Sequence, residues 1–135
     1  MSKLKKEFKN QIDFRHKDFP LRPLTAMAAE AVRCVEDAAK QDQMRALVFG
    51  GQRRWSLSKA PQNIWATYAA ATGTAMKKWR SCTYSRTHKK AIEADRTLGF
   101  NMGVNATPTI FVGNRKLVGA VPYRDLAAAV RTQLK

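Results

Sequence analysis

The chain has 135 residues, a length typical of one domain with a moderate hydrophobic core, and its formal net charge is +15. Such a charge favours solubility and attracts acidic partners, but it specifies no fold. No apolar run is long enough to cross a bilayer, and the basic start of the chain is not followed by the apolar segment of a signal peptide. We therefore expect no membrane partner.

The N-terminal part of the chain predicts a short helix over residues 4–10 and a strand over residues 12–16. The helix is rich in lysine and has a narrow apolar face. Ile12, Phe14 and His16 alternate with polar residues, as the two faces of a strand require. A helix followed by a strand is typical of the second half of a βαβ unit.

The middle of the chain, from residue 25 to about residue 99, has helical periodicity and no convincing strand. A threonine is expected to cap the first helix. The glycines are expected to end helices, because their spacing does not fit a phosphate-binding loop. The predicted helices are residues 25–39 with Thr25 as the cap, 43–49 before Gly50-Gly51, 61–71 before Gly73, and 75–98 with a break near 83–87.

The C-terminal part predicts a β-hairpin followed by a helix. An apolar β-branched run follows Thr107-Pro108, Gly113-Asn114 suits a two-residue turn, and a second apolar run begins at Lys116. Proline cannot donate to a strand ladder, so Pro108 belongs at the start of its strand, where a cis Thr-Pro bond costs little. The helix begins after Pro122, a residue type suited to a first helical turn.

Residues 104–112, followed by residues 116–120, resemble the C-terminal half of the thioredoxin fold in the DsbA-like disulfide oxidoreductases. Residues 91–99 and 13–21 are similar to further parts of that fold. In this family the Thr-Pro pair forms a cis-proline loop facing a catalytic Cys-X-X-Cys. The resemblance implies an α/β, thioredoxin-like fold, with a thioredoxin-type part at 1–24 and 100–135 and a helical insertion at 25–99.

The chain contains no Cys-X-X-Cys, and the family's first strand and the start of its first helix are not recognisable. The resemblance implies that Thr107 and Pro108 bind a client peptide through its backbone. Without a catalytic thiolate they would not exchange disulfides, so we expect no catalytic residue and no cofactor. If the chain is complete, we expect a non-catalytic binding module. If it is the C-terminal part of a longer product, we expect an exported, periplasmic oxidoreductase.

A missing central strand would expose pairing edges on its two neighbours. Exposed edges pair with other strands, either within the chain or in a second copy. We therefore expect a homodimer or a rearranged sheet.

The two cysteines, Cys34 and Cys82, are expected in one of two redox states. In an oxidising compartment a structural disulfide between them would close a 48-residue separation and stabilise the fold by about 4 kcal/mol; in a cytosol both would stay reduced. His88 follows Cys82 by six residues and is expected off its helical face, so neither thiol has a predicted activating partner. Adding His16 gives no closely spaced ligand pair, and no metal site is predicted.

Basic residues beside aromatic ones suggest an alternative function, a basic nucleic-acid-binding or interaction module. The segments concerned are Arg53-Arg54-Trp55, Lys77-Lys78-Trp79-Arg80 and residues 86–90. However, Trp79 falls on the apolar side of its predicted helix, which favours an ordinary solvated basic surface. Salt dependence separates the two functions, because phosphate binding weakens steeply with salt.

Overall fold

The computed structural model describes residues 1–135, and its contacts divide the chain into two units. Unit 1 comprises Met1–Lys17 and Leu98–Lys135, and unit 2 comprises Asp18–Thr97. None of the helices has the length and apolar character needed to cross a membrane. In chain order the elements are α1 (Ser2–Phe8), α2 (Pro23–Arg33), α3 (Ala38–Gly50), α4 (Gln52–Ser56), α5 (Pro61–Ala71), α6 (Met76–Ser85), α7 (Lys89–Asn101), β1 (Thr109–Val112), β2 (Arg115–Val118) and α8 (Tyr123–Leu134).

Unit 2 is helical throughout. Its helix α2 begins with Pro23. The Thr25 hydroxyl accepts a hydrogen bond from the Arg22 N–H at 3.0 Å and donates one to the Arg22 carbonyl at 2.8 Å. Thr25 is therefore the third residue of the helix and not its cap, contrary to the sequence prediction. Helix α3 has a conventional cap, since the Asp37 carboxylate accepts the Lys40 N–H at 3.0 Å.

The core of unit 2 combines small residues of α2 with aromatic residues of the later helices. Val35, Met44 and Ala69 are fully buried in it, and the rings of Trp55 and Trp65 meet edge to face with their centroids 5.4 Å apart. Alanine on one helix leaves room for an indole on its neighbour, so the helices approach closely. The other buried members are Ala28, Ala31, Val32, Cys34, Val48, Ala66 and Trp79.

One ion-pair group joins the start of unit 2 to its last helix. The Arg33 guanidinium lies 2.6 Å from carboxylate oxygens of both Asp18 and Asp95, and the Asp18 N–H donates to Asp95 at 3.0 Å. Burial by itself would lower the pKa of Arg33, but the hydrogen bonds and charges of the two carboxylates outweigh it and raise that pKa. Arg33 therefore stays charged and holds α2 against α7.

Unit 1 is an antiparallel hairpin with two helices. Thr109 pairs with Val118 and Val112 with Arg115, and Gly113-Asn114 forms the turn between the strands. Alternation places Ile110, Val112 and Leu117 on the face that packs against the buried residues of α1 and α8. Those buried residues are Leu4, Phe8, Leu126, Ala127 and Val130.

A second contact between α1 and α8 is polar. The Glu7 carboxylate accepts hydrogen bonds from the Tyr123 hydroxyl and the Arg131 guanidinium. The bond from Tyr123 and the contacts with Arg131 lower the pKa of Glu7, and the same carboxylate raises the pKa of Tyr123. Both shifts favour the pair in which Glu7 is charged and Tyr123 is neutral.

The strand predicted over residues 12–16 does not form. The sheet has only two strands, β1 and β2, and residues 12–16 are extended without a ladder partner. The alternating apolar residues Ile12 and Phe14 pack instead against the apolar cluster of unit 1. Lys5 Nζ lies 4.7 Å from the centre of the Phe14 ring.

Candidate functional site

The candidate site in unit 1 is the loop that enters β1. The Thr107–Pro108 peptide bond is cis, and both residues are exposed. Two hydrogen bonds hold the loop in place: the Gly119 N–H donates to the Pro108 carbonyl at 2.8 Å, and the Thr109 hydroxyl donates to the Ala106 carbonyl at 2.6 Å. The loop is thus fixed on one side by Gly119, just after β2, and on the other by Thr109, the first residue of β1.

These bonds leave the backbone of Thr107 free. Neither its N–H nor its carbonyl is hydrogen-bonded within the chain, and the residue is exposed to solvent. The neighbouring strand β1 pairs with β2 alone, so its other edge carries no strand. Exposed backbone groups beside an open strand edge are the features that bind an extended peptide by adding it to the sheet.

The approach to the loop is also fixed by hydrogen bonds to backbone carbonyls. The Val104 N–H donates to the Gly99 carbonyl at 2.9 Å, and Lys116 Nζ reaches the Gly103 carbonyl at 3.3 Å. Gly103 has φ +79°, a conformation that suits glycine after a helix end. The chain therefore leaves α7 in a defined direction before it reaches Thr107.

This order of elements, a cis-proline loop leading into a hairpin and an amphipathic helix, can be compared with known families. A family model described as Thioredoxin matches residues 1–132. The chain belongs to the thioredoxin-like family. The match covers almost the whole of this thioredoxin-like chain, so it includes the helical unit 2 as well as the hairpin. Neither a curated protein nor a solved structure matches it.

In this thioredoxin-like protein the two cysteines form a disulfide within unit 2. Cys34 and Cys82 are bonded, with Cα atoms 5.7 Å apart, and the chain has no free cysteine. Cys34 is buried at the end of α2, and Cys82 is half-buried in α6. A sulfur atom in a disulfide is not a thiolate nucleophile, so neither cysteine is available to attack a client.

The prediction that His88 lies away from Cys82 is wrong. A ring nitrogen of His88 and both sulfur atoms lie within 4.8 Å of one another. That prediction counted positions along a single helix, although a break near residues 83–87 was also predicted; α6 ends at Ser85, and Arg86 has φ 51°, which turns the chain back. The two sulfurs are bonded to each other, and they would become metal ligands only as thiolates. His16, the other histidine considered, belongs to unit 1.

The tryptophans that adjoin basic residues are core residues. Trp55 and Trp79 are each 3% exposed, and their indole N–H groups donate to the carbonyls of Val48 and Ala31 at 2.7 and 2.9 Å. Buried rings cannot stack on nucleic-acid bases, so these two residues supply no stacking surface.

A cleft in unit 2 is lined by Glu30, Trp65 and Arg86. Of these three residues the sequence indicated only Arg86, as part of the basic segment 86–90. Glu30 is 1% exposed, although it is a carboxylate. The signal that could have identified it is its position three residues after Met27 and four before Cys34, which places a charged residue on a helix face with two apolar ones, where it needs a specific partner.

Proposed function

We propose that this thioredoxin-like chain binds an extended segment of a client protein at the Thr107–Pro108 loop, as a relative of the DsbA-like disulfide oxidoreductases. The client backbone would pair with the free N–H and carbonyl of Thr107 and continue along the open edge of β1. The exposed, unpaired backbone of Thr107 is the observation that carries this proposal.

The proposed activity is binding without thiol–disulfide exchange. Exchange needs an attacking thiolate, and in this chain both cysteines are joined in the Cys34–Cys82 disulfide. A disulfide in a small domain is typical of an oxidising compartment, so we propose that the protein works in the periplasm. Its clients would then be exported proteins that are still unfolded.

The open edge of β1 also supports a second proposal, that two copies of the chain pair through it. A two-stranded sheet in which one edge of β1 pairs with no strand is a template for another strand. A homodimer formed this way would cover the edge that a client uses. Light scattering should therefore show that an added client converts dimers into 1:1 complexes.

The test is a titration of the ¹⁵N-labelled chain with ribonuclease A that has been reduced and carboxamidomethylated. This client stays unfolded and is itself basic, so attraction to a chain of charge +15 cannot drive the binding. We expect the amide signals of Thr107 and of β1 to shift as the complex forms. Unchanged signals at Thr107, with or without binding elsewhere, would refute the proposal.

A variant pair locates the effect. Pro108→Ala changes the proline at the loop, and Pro122→Ala changes an exposed proline of the same unit, before α8. We expect Pro108→Ala to weaken client binding about tenfold, the equivalent of one good hydrogen bond to a fixed backbone. Pro122→Ala should bind as the unsubstituted chain does. Equal losses in the two variants would contradict a role for the loop.

The alternative function, nucleic-acid binding, rests on the charge of +15. It predicts that a fluorescein-labelled oligothymidylate binds tightly at low salt and much more weakly at moderate salt, because bound counterions are released. Binding of carboxamidomethylated ribonuclease A at the loop should change little over the same range. Since Trp55 and Trp79 are buried, we propose client binding as the main function.

A further inference from the structure

Four side chains with metal-binding atoms meet in unit 2, around the disulfide. A ring nitrogen of His88 and the sulfur atoms of Cys34 and Cys82 lie within 4.8 Å of one another. A carboxylate oxygen of Glu30, Oε2, lies 4.0 Å from Cys34 Sγ. Two sulfurs, an imidazole and a carboxylate are ligand types that zinc takes in proteins. The cluster therefore has the donors of a zinc site, although the two sulfurs are bonded to each other.

The spacing of these atoms is close to that of a tetrahedral site. With Zn–S bonds of about 2.3 Å and Zn–N or Zn–O bonds of about 2.0 Å, the ligand atoms of a tetrahedral zinc stand about 3.3–3.8 Å apart. The distances of 4.8 Å and 4.0 Å in the cluster exceed these values by about 1 Å or less, which a side-chain rotation can supply. Once the S–S bond is broken, the four donors can surround one ion.

The fold places Glu30 and His88 before any metal binds. Glu30 is 1% exposed, and both of its carboxylate oxygens accept the His88 backbone N–H, at 3.1 and 3.0 Å. Arg86 Nε lies 4.0 Å from Glu30 Oε1. Two thiolates and a carboxylate carry one negative charge more than Zn²⁺ neutralises, and the Arg86 guanidinium offsets it.

A reductant and a metal ion can approach the cluster from one side. Cys34 is buried, whereas Cys82 and His88 are half-buried. Attack of an external thiolate on Cys82 Sγ releases Cys34 as the leaving thiolate. Structural zinc sites are closed once they have formed, so the burial of Cys34 and Glu30 suits the bound state.

We propose that reduction of the disulfide converts this cluster into a zinc site with the ligands Cys34, Cys82, His88 and Glu30. A dithiol reductant gives two electrons and two protons to the S–S bond, which breaks as the reductant forms its own disulfide. The two thiols then bind Zn²⁺ through their sulfurs and release their protons, while the His88 ring and the Glu30 carboxylate complete the tetrahedron.

The zinc-bound state and the disulfide exclude each other, because both use the same two sulfurs. A newly made chain has reduced cysteines before it reaches an oxidising compartment, so the zinc-bound state would precede the disulfide. The proposal concerns unit 2 alone and does not depend on client binding at Thr107.

The experiment is a titration of the full chain with Co²⁺, a coloured substitute for Zn²⁺. One sample is reduced with an immobilised phosphine, which is then removed under argon, and a second sample keeps its disulfide. In the reduced chain we expect one equivalent of Co²⁺ to give the intense visible bands of four-coordinate cobalt and a near-ultraviolet thiolate-to-cobalt band. Zn²⁺ should abolish both, and native mass spectrometry should show one zinc ion on the reduced chain and none on the oxidised chain.

A pair of histidine variants locates the site. The chain has two histidines, and His16 lies in unit 1. His88→Asn should weaken zinc binding by at least about a hundredfold, since losing a ligand costs no less than losing an outer-shell partner, whereas His16→Asn should leave it unchanged. His88→Asn keeps the backbone N–H that Glu30 accepts. Glu30→Gln should weaken zinc binding at least about tenfold, because a neutral amide is a poorer zinc ligand than a carboxylate.

Stability gives a second measurement, which also applies if reduction loosens unit 2. Zn²⁺ should raise the urea midpoint of the reduced chain, followed by tryptophan fluorescence, and should not change that of the oxidised chain. An absence of cobalt bands in the reduced chain, or equal metal binding by the two redox states, would overturn the proposal. Equal affinities in His88→Asn and His16→Asn would exclude His88 as a ligand, and an unchanged affinity in Glu30→Gln would refute the four-ligand site.

Discussion

The Cys34–Cys82 disulfide should account for a large part of the stability of unit 2. The bond links positions 48 residues apart. In the chain-entropy treatment, cross-linking a loop of this length lowers the entropy of the unfolded chain by about 14 cal/mol/K, or about 4 kcal/mol at room temperature. Domains have a total stability of about 5–15 kcal/mol, so the reduced protein is expected to lose a substantial fraction.

Tryptophan fluorescence isolates this effect to one unit. All three tryptophans lie in unit 2, so emission excited at the red edge of the absorption band follows the unfolding of that unit alone. Urea unfolding of the oxidised chain and of the chain reduced with a phosphine should differ in free energy by about 4 kcal/mol. A difference under about 1 kcal/mol would refute the loop-entropy reasoning.

Cys82→Ser is the matched control for the reductant. Cys82 is the half-buried partner, so serine there disturbs the core less than a change at buried Cys34. The variant should have the stability of the reduced protein and should not respond to the phosphine. If the phosphine destabilised Cys82→Ser as well, the effect of reduction could not be assigned to the disulfide.

Three further changes test individual contacts. Trp79→Phe should destabilise unit 2 by about 1–3 kcal/mol in urea, because the buried Ala31 carbonyl loses its donor; Trp79→Tyr, with its own hydroxyl, provides a comparison. Glu7→Gln should remove a pH dependence of the stability of unit 1. Because the pKa of Glu7 is lowered and that of Tyr123 is raised, their contact stabilises the unit between the ordinary pKa values of 4.5 and 10.0, and this stabilisation is lost as the pH falls below 4.5 or rises above 10.0. The NMR signals of α8 report the change. Gly113→Ala should weaken the hairpin by about 1–2 kcal/mol, seen as faster amide exchange in β1, since φ is +57° there. A silent Trp79→Phe, a Glu7→Gln variant with an unaltered pH profile, or unchanged exchange in Gly113→Ala would each contradict the contact concerned.

Local signals were sufficient where the chemistry of a few neighbouring residues decides the structure. Gly113-Asn114 between two apolar runs predicted the turn joining β1 and β2, and Pro61 with Gly73 predicted the limits of α5. The break between α6 and α7 was also predicted. These features depend on the backbone preferences of individual residues, which can be predicted from a single sequence.

Predictions failed where a distant partner decides the structure. Alternation at residues 12–16 predicts a strand only if another strand pairs with it, and the sheet here provides none. The predicted helix over 25–39 missed the break between α2 and α3, although Asp37 is a good cap residue. Apolar periodicity continues through that break, so the pattern alone does not reveal it.

The same distinction applies to the two candidate sites. Thr107-Pro108 is a local sequence feature beside a recognisable hairpin, and its position was predicted. The donors Cys34, Cys82 and His88 come from three segments of unit 2, and only tertiary packing brings them together. Their spacing along the chain did not indicate a site, because no two of them form a closely spaced ligand pair.

The burial of the tryptophans explains why basic residues surround them in the sequence. On α6, Trp79 faces the core and donates to the Ala31 carbonyl at 2.9 Å, whereas the neighbouring Lys77, Lys78 and Arg80 are exposed. An amphipathic helix in a chain of charge +15 places lysine or arginine beside a core aromatic residue simply because adjacent positions point to different faces. The pattern that suggested base stacking is therefore a consequence of helix packing, and the proposed client binding at Thr107 needs none of these charges.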